Sequence, residues 1–431
     1  MVTVGHAKSF DLAAELVGLN AEIEISGRHL NRLAEMIGTE LAADRDQRTE
    51  DYVHHRRQPP TGEVPKKVAV GLDGGRINTR EPGHGPGVHE SGWREDKIGL
   101  LQVLEGPSFD VDPHAEPPEC FRDAEHVRQM VRGFVAQKGI RGYDEPETDG
   151  SADQPEKPPL PPETRGAGPA DRVTDPSTNP AAAEAKDVAS EPATATPAWP
   201  PKRVERTCVA SMARSRVFGP MLAAEAYARN FFAAEERSFL GDGLKYNWQI
   251  QEAWFPDFTP ILDFIHPLSY LYMTAQAVSP TAAAAWVRYL GWMTACWQGR
   301  ASVVIAEVRE EQRRLHERLG VSAGKLPAGD PREVVRRTLN YLENNVTRMN
   351  YPDYRRRGLV VTTAAVESLV KEFNYRVKGT EKFWNNPGGT EPIIQIRAAV
   401  LSEDDRLATY LASRPGCAQR RRPPPEVKLA A

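Results

Sequence analysis

Long apolar runs and paired cysteines are both missing from this 431-residue chain. No apolar stretch approaches the roughly 18 residues that a membrane-spanning helix needs. The N-terminus has no basic segment followed by an apolar one, so no secretory signal is expected. The four cysteines, Cys120, Cys208, Cys296 and Cys417, form no CxxC pair, which argues against a zinc site and against a disulfide framework. The sequence therefore predicts a cytoplasmic protein.

A surplus of positive charge is also missing, because the formal net charge is −4. Any binding of nucleic acid must then come from local basic patches. Hydrophobic residues make up 40% of the chain, which is enough for a folded core. Residues 144–202 are the exception, since they are rich in proline and almost devoid of large aliphatic residues. We predict a disordered insert there, because so little apolar surface cannot offset the entropy of ordering.

Two stretches of helical periodicity occur near the N-terminus, within residues 10–40, and they predict a helix, a break and a second helix. Ser26 can cap the second helix. Its exposed polar side chains would be Arg28, His29, Asn31 and Arg32. A DNA-binding helix-turn-helix has this form, and so has a small helical packing module. Both interpretations remain open for this segment.

Several short apolar runs have the length and composition of β-strands. Residues 68–72 form one such run and end at Asp73, and residues 97–106 form a second, so the two are expected to be neighbouring strands. The run "RSFL" is soon followed by Asp242, which has a glycine on each side, and the run "PIL" ends at Asp263. Aspartates therefore come at the ends of three predicted strands.

Helices are predicted over residues 124–139, 217–236 and most of 267–360. Three tryptophans of the last segment are expected in a buried seam between helices, namely Trp286, Trp292 and Trp297. A further helix would start at Thr362 or Thr363, with Glu367 in its early turns. At 3.6 residues per turn, one face of that helix carries Glu367, Lys371, Asn374 and Lys378.

Asp73, Asp242 and Glu367 form a candidate cation site built from two strand ends and one helix. Hard cations such as Mg²⁺ prefer oxygen ligands and use few protein carboxylates. Two such ions about 3.5–4 Å apart can activate an attacking oxygen and stabilise a leaving one. Each acid also has an ordinary structural explanation: aspartate next to glycine is common in turns, and glutamate is stabilised near a helix N-terminus.

Four motifs follow one another along the chain: "GLDGG", "GWREDKIGLLQV", "FLGDGLKYNW…FP…ILDFIH" and "VESLVKEFNYRVKGTEKFW". Their content and order resemble the DDE transposases of bacterial insertion sequences and, more distantly, the Mutator-like and hAT elements. The resemblance covers residues 66–110 and 203–410. It implies an α/β fold, namely an RNase H-like mixed sheet with a large all-helical insertion and a small N-terminal helical domain.

The resemblance also implies the site and the activity. Asp73, Asp242 and Glu367 would be the catalytic acids and the ligands of Mg²⁺ or Mn²⁺, with Asp263 as the alternative second acid. Residues that would position DNA or these ligands are Asp263, His266, Lys371, Asn374, Arg376 and Lys378. The expected activity is metal-dependent cleavage and strand transfer of double-stranded DNA at element ends, by a homo-oligomer associated with the bacterial nucleoid. The alternatives are a nuclease on the same fold and a transposase-derived protein that only binds DNA.

The predicted domain layout follows from these assignments. In chain order it comprises a helical N-terminal domain that is a candidate helix-turn-helix (1–60), a first part of the core (61–143), the disordered insert (144–202), a second part of the core (203–266), the helical insertion (267–360), a final helical part of the core (361–413) and a basic, proline-rich tail (414–431).

Overall fold

One mixed β-sheet organises the part of the chain that the structure, a computed structural model, describes. Its six strands are β1 (Lys67–Arg80), β2 (Gly92–Glu105), β3 (Lys202–Ser211), β4 (Glu236–Gly241), β5 (Thr259–Leu262) and β6 (Trp384–Asn385). The strand order is β3-β2-β1-β4-β5, with β6 beside the end of β1. β1, β2 and β3 are antiparallel, whereas β4 and β5 run parallel to β1. The predicted α/β class and the pairing of the first two strands are confirmed.

The described residues are 1–80, 92–138, 199–321, 324, 326–378, 382–385 and 388–414, and side chains are described for these except 135–138. Most of the predicted insert at 144–202 and nearly all of the predicted tail lie outside them. Among the helices of the described ranges, none has both the length and the apolar character needed to cross a membrane.

Helices surround the sheet and fill the segment after β5. They are α1 (Val2–His6), α2 (Phe10–Ala21), α3 (Gly27–Val53), α4 (Ala124–Lys138), α5 (Ser215–Ala228), α6 (Lys245–Trp254), α7 (Ile265–Val278), α8 (Ala282–Trp297), α9 (Ala301–Leu319), α10 (Pro331–Asn345), α11 (Tyr351–Arg356), α12 (Ala364–Val377), α13 (Thr390–Leu401) and α14 (Arg406–Ser413). The segment from α7 to α11 matches the helical run predicted for residues 267–360. Of its tryptophans, Trp292 and Trp297 are buried and Trp286 is partly buried.

Alternating side chains give the sheet two buried faces. On one face, Ile77 and Ile98 join the core formed with α3, α12 and α13. On the other face, Val70 and Leu72 join the core formed with α5 to α10. α12 packs directly on β1, because a Cβ at Gly71 would lie at the contact distance of 3.4 Å from Val366. The sheet is therefore covered by helices on both sides, and its ends are the places where polar side chains can collect.

The N-terminal helices pack on the core. Ser26 caps α3 as predicted, since its Oγ accepts the backbone N–H of His29 at 3.2 Å. Further along α3, Ile37 and Leu41 are buried, and a Cβ at Gly38 would lie 2.2 Å from a backbone oxygen of α13. The close contact between α3 and α13 is what the interpretation as a helical packing module expects. The DNA-binding interpretation stays a prediction, which depends on the polar side chains that remain exposed at the start of α3.

Residues 199–241 contain one strand that was not predicted and one helix whose predicted end is wrong. The edge strand β3 was not predicted, because its first half, "KRVER", is charged and solvent-exposed. The helix predicted over 217–236 ends at Ala228, since Asn230 adopts a left-handed conformation with φ 58° and the chain then enters β4 at Glu236. Both errors arose where tertiary pairing overrides local pattern.

Candidate active site

Three aspartates lie in one row across three neighbouring parallel strands, just after the ends of β4 and β5 but midway along β1. The prediction that a strand ends at Asp73 is wrong, because β1 stays paired with β2 as far as Thr79. Extending the pairing of β1 with β4 by two residues brings Asp73 level with Asp242. Extending the pairing of β4 with β5 by one residue brings Asp263 level with Asp242 on its other side. Because neighbouring strands are about 4.8 Å apart, the three aspartates lie side by side at one level of the sheet. All three are buried, with exposed fractions of 9%, 5% and 0% respectively.

The loop after β4 fixes the position of Asp242. Its Oδ1 accepts the N–H of Leu244 at 3.1 Å and the side-chain amide of Asn247 at 2.8 Å. The hydroxyl of Tyr341, on α10, donates to the carbonyl oxygen of Asp242 at 2.9 Å. Gly243 has φ 93°, and a Cβ there would lie 2.5 Å from the ring of Tyr341. The glycine is required for both reasons, so the helical insertion directly shapes the loop that carries Asp242.

Asp263 joins the starts of two helices. Its Oδ1 accepts the backbone N–H of Thr363, just before α12, at 2.7 Å. Its Oδ2 accepts both the backbone N–H and the Nδ1 of His266, in the first turn of α7, at 3.1 and 2.5 Å. Because both carboxylate oxygens are engaged by the protein, Asp263 is better suited to positioning its neighbours than to holding a cation.

His266 connects this pair to Asp242. Its Nε2 lies 4.0 Å from Oδ2 of Asp242. If Nδ1 carries the proton that it donates to Asp263, the neutral ring turns the lone pair of Nε2 towards the acidic cluster. Phe134 contacts the ring edge-on, with centroids 5.4 Å apart, so the imidazole is held on its apolar side as well.

Glu367 reaches the same place from the start of α12. The helix begins at Ala364, directly after Thr362 and Thr363, where its start was predicted, and the hydroxyl of Thr363 lies 3.3 Å from Oε1 of Glu367. Ligand atoms of Asp263, His266 and Glu367 all lie within 4.8 Å of one another. The structure thus brings Asp242, Asp263, His266 and Glu367 together at the carboxyl ends of β4 and β5. The strand register places Asp73 beside Asp242.

The polar face predicted for α12 is present in part. Lys371 and Lys378 are exposed and Asn374 is partly buried, and the Nζ of Lys378 lies 5.8 Å from the ring of Trp93. A role in positioning DNA therefore remains a prediction for these three residues.

Arg376 does not share that face. It is 1% exposed, and its Nε donates to the carbonyl oxygen of Val4 at 3.0 Å. Its guanidinium lies over the rings of Phe10 and Trp384, and burial lowers its pKa to about 10. This arginine fastens the N-terminal helices to α12, so the role in positioning DNA is wrong on geometric grounds.

A fourth carboxylate, Asp96, was missed by the sequence analysis. Asp96 lies on β2 and is paired with Gly75 of β1. Since Gly75 comes two residues after Asp73, Asp96 and Asp73 are on the same face of the sheet. Asp96 is fully buried, and neither of its carboxylate oxygens has a hydrogen-bond partner among the described residues. Burial, together with the charges of Glu95 and Asp73, raises its pKa to about 7.

No known family model matches the sequence, and no curated protein is significantly similar to it.

Proposed function

We propose that this protein is a DDE-type transposase that cleaves and joins double-stranded DNA. The observation that carries the proposal is the row of Asp73, Asp242 and Asp263 across β1, β4 and β5, with Glu367 brought close to Asp263 by α12. Acids that lie far apart in sequence thus converge in one place. Convergent carboxylates are what metal-dependent phosphoryl transfer requires.

The arrangement of the sheet supports an RNase H-like core. Three antiparallel strands are followed by two strands parallel to the first, in the order β3-β2-β1-β4-β5, which is the order expected of such a core. The helices α7 to α11 separate the strand of the second acid from the helix of the third. An all-helical insertion at this place is what the resemblance to insertion-sequence transposases implies.

The donor set at the edge of the sheet fits Mg²⁺ or Mn²⁺, because it consists of carboxylates with a single imidazole. Asp73, Asp242 and Glu367 would hold the cations, while Asp263 would orient His266 and the start of α12. When bound, a pair of cations would activate the attacking oxygen, first of water and then of a 3′-hydroxyl, and stabilise the leaving one. The burial of the aspartates lowers the local dielectric constant, which strengthens their interaction with positive charge.

Recognition of DNA would use exposed basic residues near this edge and at the N-terminus. Lys371 and Lys378 lie on the outer side of the helix that carries Glu367, and Arg28 and Arg32 are exposed at the start of α3. Lysine and arginine in such positions bind phosphates and fix the orientation of a duplex. A homo-oligomer on the two ends of the element is the corresponding assembly.

Incubation of the full-length protein with linear DNA that carries the sequences flanking its gene tests the proposal. We expect strand cleavage and joined products in Mg²⁺ or Mn²⁺, and neither in EDTA. Cleavage without joining would favour the nuclease. A retarded band without cleavage would favour a protein that only binds DNA.

A further inference from the structure

The environment of Asp96 lacks the partner that a buried carboxylate needs. A fully buried ionised group without hydrogen bonds or counter-charge is strongly disfavoured. Asp96 has an exposed fraction of 0%, and both of its oxygens are without hydrogen-bond partners within the described ranges. The side chain must therefore either stay protonated or receive a positive charge.

The carboxylate of Asp96 lies over the backbone of Gly75. A Cβ at Gly75 would be only 2.6 Å from Oδ1 of Asp96 and 3.0 Å from Oδ2. Gly75 follows Asp73 by two residues on the same side of β1, a distance of about 7 Å along a strand. The absence of a side chain at position 75 thus gives the Asp96 carboxylate room to lie against the backbone of β1.

Neighbouring charges do not neutralise Asp96. Lys97 is adjacent in sequence, but its side chain leaves the opposite face of β2, where its Nζ lies 3.0 Å from Glu95 and 4.0 Å from the ring of Tyr246. The other charged groups that act on Asp96 are Glu95 and Asp73, and both are acidic. Lys97 lowers the pKa of Asp96 less than Glu95 and Asp73 raise it, so the charges that act on Asp96 are negative on balance.

We propose that Asp96 is an additional ligand of the acidic site, which together with Asp73 holds a divalent cation over Gly75. The inference deepens the proposed function and rests on it for the role of Asp73. It assigns the cation two carboxylates from adjacent antiparallel strands, which are oxygen donors of the kind that Mg²⁺ and Mn²⁺ prefer. The sheet itself, rather than a loop, would then fix one cation.

Titration of the metal-free, full-length protein with Mn²⁺ in the absence of DNA tests this site. We expect Asp96→Asn to bind one Mn²⁺ fewer than the wild type, or to bind it at least tenfold more weakly, and Asp73→Asn to show the same loss. Glu95→Gln is the matched control, because it removes the same charge from the next residue on the opposite face. It should bind Mn²⁺ as the wild type does.

Gly75→Ala provides a second variant in which every ligand is retained. Its methyl group would displace the Asp96 carboxylate, so Mn²⁺ binding should again weaken at least tenfold while circular dichroism stays unchanged. Wild-type Mn²⁺ binding by Asp96→Asn, or no Mn²⁺ binding by the wild type, would overturn the inference. A protein that loses Mn²⁺ through Asp96→Asn but cuts no DNA would instead contradict the proposed function alone.

Discussion

Replacing Asp96 by asparagine should stabilise the metal-free protein at alkaline pH. The pKa of Asp96 is raised from its ordinary value of 3.8 to about 7. This difference of about 3 units corresponds to about 4 kcal/mol of unfavourable free energy once the group is ionised in the folded state. Asparagine removes the charge and nearly keeps the shape, although its buried N–H groups return about 1–3 kcal/mol of that gain.

The sign of the pH dependence follows from the direction of the shift. Below about pH 4, Asp96 is protonated in the folded and unfolded states alike, so it contributes no penalty. As the pH rises from about 4 to about 7, the unfolded chain releases its proton while the folded chain keeps it, and stability falls. The raised pKa of Asp96 therefore lowers the free energy of unfolding by about 2 kcal/mol at pH 5 and by about 4 kcal/mol at pH 8.

Urea unfolding in EDTA at pH 5 and pH 8 measures this effect. Relative to the wild type, Asp96→Asn should gain about 2–3 kcal/mol more at pH 8 than at pH 5, and added Mn²⁺ should remove most of the difference by stabilising the wild type. Glu95→Gln serves as the control for loss of a nearby charge. An equal effect of Asp96→Asn at the two pH values would refute the reasoning.

Two further substitutions test the supports of the site. Asp263→Asn should lower the free energy of unfolding by about 1–3 kcal/mol, because one oxygen that accepts from His266 or Thr363 is lost. The variant should cleave DNA more slowly than the wild type but still measurably. Complete loss of cleavage in a folded variant would show that Asp263 is a metal ligand. Gly243→Ala should lower the free energy of unfolding by about 1–3 kcal/mol, because of the positive φ at Gly243 and its contact with α10. The control is Gly291→Ala, at an exposed helical glycine with nothing within 4 Å, which should be neutral or stabilising. Equal thermal unfolding of the two variants would contradict the proposed constraint on Gly243.

The aspartates of the row could be predicted because each comes at or soon after the end of a short apolar run. Asp73 and Asp263 end such runs, and Asp242 follows one closely, so their position side by side depended only on strand order. Glu367 could be predicted from the polar face of its helix. The sequence could not reveal that Asp263 accepts hydrogen bonds from the starts of both α7 and α12, since these helices are separated by the whole helical insertion.

Asp96 and Arg376 show why the remaining features escaped prediction. Asp96 stands in the charged stretch "WREDK", which is typical of an exposed strand end, and only its pairing with Gly75 places it in a buried face. Arg376 lies two residues after Asn374 on α12 but turns towards the N-terminal helices. In both cases long-range packing decides the environment of the side chain, and local periodicity carries no signal of it.

The dependence of DNA cleavage on Asp242 tests the central claim most directly. Asp242→Asn keeps an oxygen that can accept from Leu244 and Asn247, so the loop should stay folded, but a neutral amide holds a divalent cation far less well. Asp257→Asn, at an exposed aspartate outside the site, is the matched control. With labelled linear DNA carrying the flanking sequences and Mg²⁺, we predict cleavage by the wild type and Asp257→Asn and a loss of at least 100-fold in Asp242→Asn. Cleavage by folded Asp242→Asn at the wild-type rate would contradict the account.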